Sequence, residues 1–269
     1  MSTLDVPGAR LYYEVRGAGP LALLVAAPMD ARSFAPLADL LATDHTVVTT
    51  DPRGINRSPV DDPARDSTPE MRADDLARLL THVDAGPAVV LGSSGGAVSA
   101  LALVQTRPDL VDTVIAHEPP VIEMLPDKDK RRAATEDMVA TYLSGDVGGA
   151  WEQFLAAANI DMPREMIEAV FLSDRSPQTV ADEHFQYAHM LRPTAYFRPD
   201  VAALRAAPTR VLIGIGEAST GQLCDLTSTA LAAALGIAPT MFPGDHIGFA
   251  EEPEAFAARL REVLSGSQR

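Results

Sequence analysis

Apolar segments of strand length alternate with amphipathic helical segments along most of this 269-residue chain. The clearest example is Leu21–Val25, a continuous apolar run typical of a strand that is covered on both faces. Further strands are predicted at Arg10–Val15, Thr46–Thr50, Ala88–Leu91, Val114–Ala116, Arg210–Gly216 and Pro239–Phe242. Helices are predicted at Ser33–Thr43, Pro69–Val83, Gly95–Thr106, Thr227–Leu235 and Glu252–Leu264. This alternation predicts an α/β fold in which a mostly parallel, doubly wound sheet lies between two layers of helices.

The alternation is interrupted between residues 119 and 200, where we find no buried strand. Amphipathic helical stretches such as Trp151–Ala158 and Arg164–Phe171 occupy this part of the chain. We therefore predict an α/β core formed by residues 1–118 and 201–269, and an inserted helical lid formed by residues 119–200, which we call the cap segment. An insertion of about eighty residues is small for an independent domain and suits a lid.

The chain is strongly acidic, with 22 Lys and Arg residues, 37 Asp and Glu residues and a formal net charge of −15. This charge disfavours nucleic acids and anionic membrane surfaces as partners, because phosphate groups would be repelled. Cys224 is the single cysteine, which excludes an internal disulfide and a cysteine-based zinc cluster and fits a reducing compartment. The N-terminal residues show no signal-peptide pattern, and the longest apolar stretch, Leu21–Met29, is too short to cross a bilayer. We expect a cytoplasmic protein.

The strongest chemical signal is the sequence Gly92-Ser93-Ser94-Gly95-Gly96, which lies between a predicted strand and a predicted helix. A G-x-S-x-G sequence in that context is typical of a tight turn that presents a nucleophilic serine. The flanking glycines allow close backbone approach, and the helix N-terminus offers N–H groups to a developing oxyanion. A phosphate-binding turn is the alternative, but no lysine follows and the glycine spacing differs. We predict Ser94 as the nucleophile.

A nucleophilic serine needs a base, and His246 is the histidine best placed to serve. It lies in a loop after the last predicted strand, and in a doubly wound sheet such a loop opens at the carboxyl ends of the strands. His184 and His189 are five residues apart in the cap segment, which is poor spacing for a metal site on one helix face. We predict no metal site.

This order of elements and motifs resembles the α/β-hydrolase superfamily over essentially the whole chain. The segment Asp51-Pro52-Arg53-Gly54-Ile55-Asn56-Arg57-Ser58 is similar to the D-x-R-G-x-G-x-S loop of that family, with Asn56 where glycine is usual. The resemblance implies a serine hydrolase with a catalytic triad, a cap inserted after the sixth strand and no cofactor.

The resemblance also exposes a departure at the catalytic acid. The family usually places an aspartate after the next strand, where this chain has Gly216-Glu217-Ala218-Ser219, with serine at the expected position. Glu118, at the end of the strand Val114–Ala116, is the better candidate, because zearalenone-type lactonases place their acid there in a His-Glu-x-Pro sequence similar to His117-Glu118-Pro119-Pro120. The alternatives are that Glu118 only forms a cap or an ion pair, or that Glu217 is the acid. His117 should point away from Glu118 by strand alternation.

The oxyanion site is expected to use backbone N–H groups. The resemblance places one at Ala27, in the sequence Val25-Ala26-Ala27-Pro28, and the second at Gly95, directly after the nucleophile. Alanine is adequate because only the backbone is needed, whereas Pro28 has no N–H group to donate.

These residues favour hydrolysis of an ester or lactone of an apolar small molecule through an acyl-enzyme on Ser94. A carbon–carbon bond hydrolase of the same fold, or a slow-turnover small-molecule receptor, remains open as an alternative. Eight of the fourteen aromatic residues lie in the cap segment, where they could form its own core or line a pocket for a neutral apolar or aromatic substrate. The predicted substrate-binding residues are Met29, Trp151, Phe154, Tyr187 and Ile247. We expect a monomer or a homodimer.

Overall fold

The computed structural model describes residues 2–173 and 175–266 and contains one eight-stranded sheet. Its strands are β1 (Ser2–Val6), β2 (Ala9–Arg16), β3 (Leu21–Ala27), β4 (Thr46–Thr50), β5 (Ala88–Ser94), β6 (Val111–His117), β7 (Arg210–Gly216) and β8 (Thr240–Phe242). They are ordered β1-β2-β4-β3-β5-β6-β7-β8. β1 and β2 pair antiparallel with their neighbours, whereas the pairs from β4 to β8 are parallel. The predicted fold class is confirmed.

Helices cover both faces of the sheet. They are α1 (Ala35–Leu41), α2 (Pro69–Val83), α3 (Gly95–Thr106), α9 (Val201–Ala206), α10 (Leu223–Leu235), α11 (Gly248–Glu251) and α12 (Pro253–Ser265), with short 3₁₀ turns at Ala31–Phe34 and Pro108–Leu110. One apolar core forms between the sheet and α2, α3, α9 and α10, and a second forms between the opposite face and α1, α11 and α12. Burial on both faces explains why all seven residues of β3 are apolar. Within the described residues, no helix has the length and apolar character needed to cross a membrane.

The cap segment follows β6, and its described residues form helices and connecting loops without a strand. It contains a 3₁₀ turn (Ile122–Met124), α4 (Lys128–Leu143), α5 (Val147–Ala158), α6 (Arg164–Ile167), α7 (Pro177–Phe185) and α8 (Leu191–Ala195), with π-helical turns at Glu168–Leu172 and Gln186–Met190. Trp151 stacks on Phe171 with ring centroids 4.0 Å apart, and Tyr142 stacks on Tyr187 at 4.3 Å. These rings give the small segment a core of its own.

Hydrogen bonds connect the cap segment to the α/β core. The backbone N–H of Asn56 donates to Asp182 Oδ1 over 2.8 Å, and the N–H of Ser67 donates to the carbonyl oxygen of His189 over 2.9 Å. Asn56 adopts a left-handed conformation with φ of 49°, which accounts for an asparagine at a position where the resembled loop has glycine. The loop after β4 therefore holds the cap in a defined place.

Candidate active site

Ser94 ends β5 at the turn into α3, and its backbone has φ of 54° and ψ of −124°. The turn is tight enough to require glycine on both sides. A Cβ atom on Gly96 would lie 2.3 Å from the carbonyl oxygen of Val25, and one on Gly92 would lie 2.5 Å from the carbonyl oxygen of Gly96. The G-x-S-x-G sequence therefore follows from close backbone approach, and it leaves the serine at the carboxyl end of the central strand.

Glu118 and His246 form a close pair beside this turn. Glu118 Oε2 and His246 Nδ1 are 2.5 Å apart, and Glu118 Oε1 accepts a hydrogen bond of 2.8 Å from the N–H of Gly216. The Glu118 side chain is fully buried, whereas that of His246 is 30% exposed. Because Glu118 occupies Nδ1, the other ring nitrogen of His246, Nε2, is the one that can exchange a proton with a reactant.

Backbone strain singles out the same residues. Five described residues other than glycine have a positive φ: Asn56, Asp84, Ser94, Glu118 and Asn159. Asp84 and Asn159 end helices in the left-handed conformation that such caps commonly adopt. Ser94 (φ 54°) and Glu118 (φ 52°) do not end a helix, and serine and glutamate rarely adopt this conformation. The backbone strain at these two residues therefore points to function.

Each member of this pair favours the charged form of the other. Burial opposes ionisation of Glu118, but the hydrogen bond and the charge of His246 outweigh it and lower the pKa of the carboxyl group to about 2. Burial likewise disfavours the His246 imidazolium, but interactions with Cys224 and Glu118 raise the pKa of His246 well above its ordinary value. The carboxylate is therefore ionised at neutral pH and stabilises a protonated imidazole.

Ser94 and His246 lie on the wall of one cavity of about 160 Å³. Within residues 2–173 and 175–266 no hydrogen bond joins the Ser94 hydroxyl to the imidazole, and such bonds commonly tighten only when substrate binds. Ala27 and Gly95, the two predicted oxyanion donors, lie on the same wall. Ala27 is directly opposite Ser94 in the β3–β5 register, and Gly95 follows Ser94 in sequence, so both residues are neighbours of the serine.

The rest of the cavity wall is mainly apolar and comes largely from the cap segment. Its larger side chains are Ile122, Met138, Phe154, Ile160, Met190, Leu191 and Leu223. Phe154 is thus a predicted substrate-binding residue that the structure places at the cavity. Aliphatic side chains and methionines provide most of the remaining surface, which suits a neutral apolar ligand.

The other four predicted substrate-binding residues are not on the wall of this cavity, and their contact with a substrate stays a prediction. Tyr187 is fully buried against Tyr142, and the indole N–H of Trp151 donates to Glu183 Oε2 over 2.8 Å, so both rings are committed to the cap's own core. Met29 packs against the apolar core beside α1, α11 and α12. Ile247 lies next to His246 in sequence but does not line the cavity.

The remaining candidates do not meet at the site. Glu217 has an exposed side chain, and its N–H donates to the carbonyl oxygen of Phe242. The side chain of His117 is buried among Phe242, Phe249 and Phe256, where burial lowers the pKa of His117 to about 4. His189 instead contacts Asp66, with His189 Nδ1 and Asp66 Oδ1 3.2 Å apart.

Cys224 and Gln186 are among the cavity residues that sequence reasoning missed. The sulfur of Cys224, a ring nitrogen of His246 and a carboxylate oxygen of Glu118 lie within 4.8 Å of one another, the one potential metal-ligand group found in the described part of the chain. Glu118 and His246 are already hydrogen-bonded to each other, which is an arrangement suited to proton transfer. Only tertiary structure reveals Cys224, because α10 carries it to the site from 130 residues beyond Ser94.

A serine at a tight turn after the fifth strand and a histidine after the last strand, on this sheet, are the arrangement of an α/β-type hydrolase. The chain belongs to the alpha/beta hydrolase family, whose sequence model matches residues 17–259. It is 31% identical over 270 residues to an uncharacterized hydrolase of Bacillus subtilis strain 168, YraK, covering 99% of this chain and 97% of that protein. It is 27% identical to the zearalenone hydrolase of Bionectria ochroleuca, covering 97% of both chains. A thermophilic esterase from Thermogutta terrifontis has a similar structure, with a TM-score of 0.69, 20% identity and 99% coverage of both chains.

Proposed function

We propose that this chain is a serine hydrolase that cleaves an ester or lactone of a neutral apolar molecule through an acyl-enzyme on Ser94. The hydrogen bond of 2.5 Å between Glu118 and His246, at the wall of the cavity that Ser94 also lines, is the observation that carries the proposal. Glu118 takes the part of the catalytic acid, and residues 119–200 act as a cap that covers the bound substrate.

In the proposed reaction, His246 Nε2 accepts the proton of the Ser94 hydroxyl while the serine oxygen attacks the carbonyl carbon. The backbone N–H groups of Ala27 and Gly95 donate hydrogen bonds to the oxyanion, and Glu118 stabilises the imidazolium. The tetrahedral intermediate collapses, the carbon–oxygen bond to the leaving alcohol breaks, and His246 returns the proton to that oxygen. Water activated by His246 then hydrolyses the acyl-enzyme and restores Ser94.

The cavity and the relatives support the substrate class. An apolar cavity of ~150 Å³ in another protein accommodates benzene, so a cavity of about 160 Å³ suits a short acyl chain or one ring. The named activities of the related zearalenone hydrolase and of the structurally similar esterase are compatible with cleavage of a carboxylic ester bond.

The proposal is tested by covalent labelling with a fluorophosphonate and by turnover of a panel of esters and lactones. We expect labelling and turnover in the wild type and in Ser93→Ala, whose substituted side chain is buried beside the nucleophile, and loss of both in Ser94→Ala. Absence of labelling and of turnover in the folded wild-type protein would exclude the proposed reaction. Equal loss of labelling in both variants would mean that Ser94 is not the site of attack.

A further inference from the structure

The buried polar residues on the cavity wall differ in whether their side chains have hydrogen-bond partners. Gln186 lines the cavity and is 9% exposed, and its side chain makes no hydrogen bond to any described residue. The hydroxyl groups of the wall are committed, because Thr135 donates to the carbonyl oxygen of Arg131 over 3.0 Å and Thr194 accepts from Arg72 over 2.8 Å. Gln186 is therefore the buried polar group that the fold leaves available.

An unpartnered amide in an apolar cavity needs an explanation. Buried polar groups are nearly always hydrogen-bonded, since removing them from water without a partner is unfavourable. Gln222, the other amide on the wall, is only half-buried and can be satisfied by solvent. Gln186, in contrast, is buried, so its carboxamide depends on what enters the cavity, whether water or a ligand.

The local backbone directs Gln186 to this place. The N–H of Leu191 donates to the carbonyl oxygen of Gln186, five residues earlier, so a π-helical turn runs over Gln186–Met190. Such turns are rare and are often found at functional sites. Gln186, Met190 and Leu191, at the two ends of this turn, all line the cavity.

We propose that Gln186 binds a second polar group of the substrate, separate from the carbonyl carbon that Ser94 attacks. This inference rests on the proposed function, because it places both groups on one molecule in one cavity. A carboxamide is uncharged and offers both a donor and an acceptor, so the group it binds is a neutral ketone, hydroxyl or amide. A charged group is disfavoured because the surrounding wall is mainly apolar and its basic side chain, His246, is already paired with Glu118. The substrate class is a neutral ester or lactone that carries an additional oxygen function.

The test compares esters of equal chain length that carry either a methylene group or a ketone at successive positions of the acyl chain. We expect the wild type to prefer the ketone at one position by about tenfold in kcat/KM. Gln186→Leu, which nearly keeps the volume and removes the hydrogen bonds, should lose this preference. Gln153→Leu, the same substitution at an exposed site on α5, should keep the preference.

A binding measurement separates this inference from the proposed reaction. In a Ser94→Ala background, calorimetry should show the same preference of about tenfold in Kd, and Gln186→Leu should remove it. If the wild type cleaves no ester but the Gln186-dependent preference in Kd persists, the reaction is wrong and the binding role stands. If no ketone position is preferred, or if Gln186→Leu and the smaller Gln186→Ala retain the preference while folded, the inference is overturned.

Discussion

Glu118 lies one residue beyond β6, in a left-handed backbone conformation, with both carboxylate oxygens hydrogen-bonded. Ser219, the residue at the position where the resembled family has its aspartate, is fully buried close to Glu118, and its hydroxyl contributes to the lowered pKa of that carboxyl group. The proposed catalytic acid therefore approaches His246 from β6, the strand next to the one that carries the acid in the resembled family. Its loss would leave the imidazole without orientation and without a charge to stabilise it.

A pair of isosteric substitutions tests this role. We expect Glu118→Gln to lower kcat by about 10³–10⁴-fold, the order seen when a triad carboxylate becomes an amide. Glu217→Gln should leave kcat close to that of the wild type, because the Glu217 side chain is exposed and makes no hydrogen bond to a described residue. Steady-state kinetics with one activated ester is sufficient. A larger loss in Glu217→Gln than in Glu118→Gln would reassign the acid to the loop after β7.

The pH dependence follows from the charges around His246. The imidazole must be neutral to accept the serine proton, and Glu118 and Cys224 raise its pKa well above 6.5. We therefore expect kcat/KM to rise with pH along an acidic limb whose midpoint lies above pH 6.5. Cys224→Ser should shift this midpoint to lower pH, because it weakens the interaction with the imidazole. An acidic limb with its midpoint at or below pH 6.5 in the wild type would contradict a raised pKa of His246.

Single residues differ in how far the sequence alone predicts them. Ser94 and His246 follow from their places in the strand and loop order, and Glu118 follows from a strand end together with a resemblance. Trp151 and Tyr187 could not be separated from cavity residues, because an aromatic residue in a small helical segment can serve its own core equally well. Gln186 carries no sequence signal, since its lack of a partner is a property of the folded cavity.

At the scale of elements, the sequence predicts the bounds of a helix well where the residues at its ends are typical of helix ends. The predicted bounds of α2 and α3 match the structure, and for α2 the reason is visible in Thr68, whose hydroxyl accepts the N–H of Met71, and in Pro69 at the first helical position. β1 was not predicted, because it is an edge strand whose first four residues are at least partly exposed and show no buried pattern. The π-helical turns of the cap segment have no recognised sequence pattern.

The buried guanidinium of Arg72 connects three elements around the site. On α2, it donates to Ser99 Oγ on α3 over 2.8 Å and to Thr194 Oγ1 on α8 over 2.8 Å. Burial lowers the pKa of Arg72 to about 10, so the group is still charged at neutral pH and depends on these acceptors. One side chain thereby connects α3, the helix that follows Ser94, to α8 of the cap segment.

Thr194→Val should weaken this connection. The substitution keeps the shape of the side chain but leaves one Arg72 N–H group without its acceptor, which we expect to lower the free energy of unfolding by about 1–3 kcal/mol. Urea denaturation followed by circular dichroism measures the change. The matched control is Thr229→Val, at an exposed position on α10, where a change within about 0.5 kcal/mol is expected. Equal effects of the two substitutions would show that the Arg72 contact contributes no net stability.

At the scale of the whole molecule, a net charge of −15 surrounds an apolar cavity. We expect such a charge to repel anionic molecules and to leave neutral ones unaffected. Raising the salt concentration from ~0.01 to ~1 M shortens the screening length from ~30 to ~3 Å. We therefore expect kcat/KM for an ester with a remote carboxylate to rise several-fold with salt, and that for its neutral analogue to stay nearly constant. The same salt dependence for both esters would show that surface charge does not govern entry.

The π-helical turn at Gln186–Met190 gives the cap a simple way to change what it recognises. Each residue of an α-helix turns the chain by ~100°, so deleting one residue from this turn would rotate every side chain that precedes it relative to α8. The identity of the group facing the cavity would change, while the sheet, the nucleophile turn and the Glu118–His246 pair would stay in place. A one-residue insertion or deletion at this turn would therefore be enough for related enzymes to diverge in substrate while keeping a common reaction.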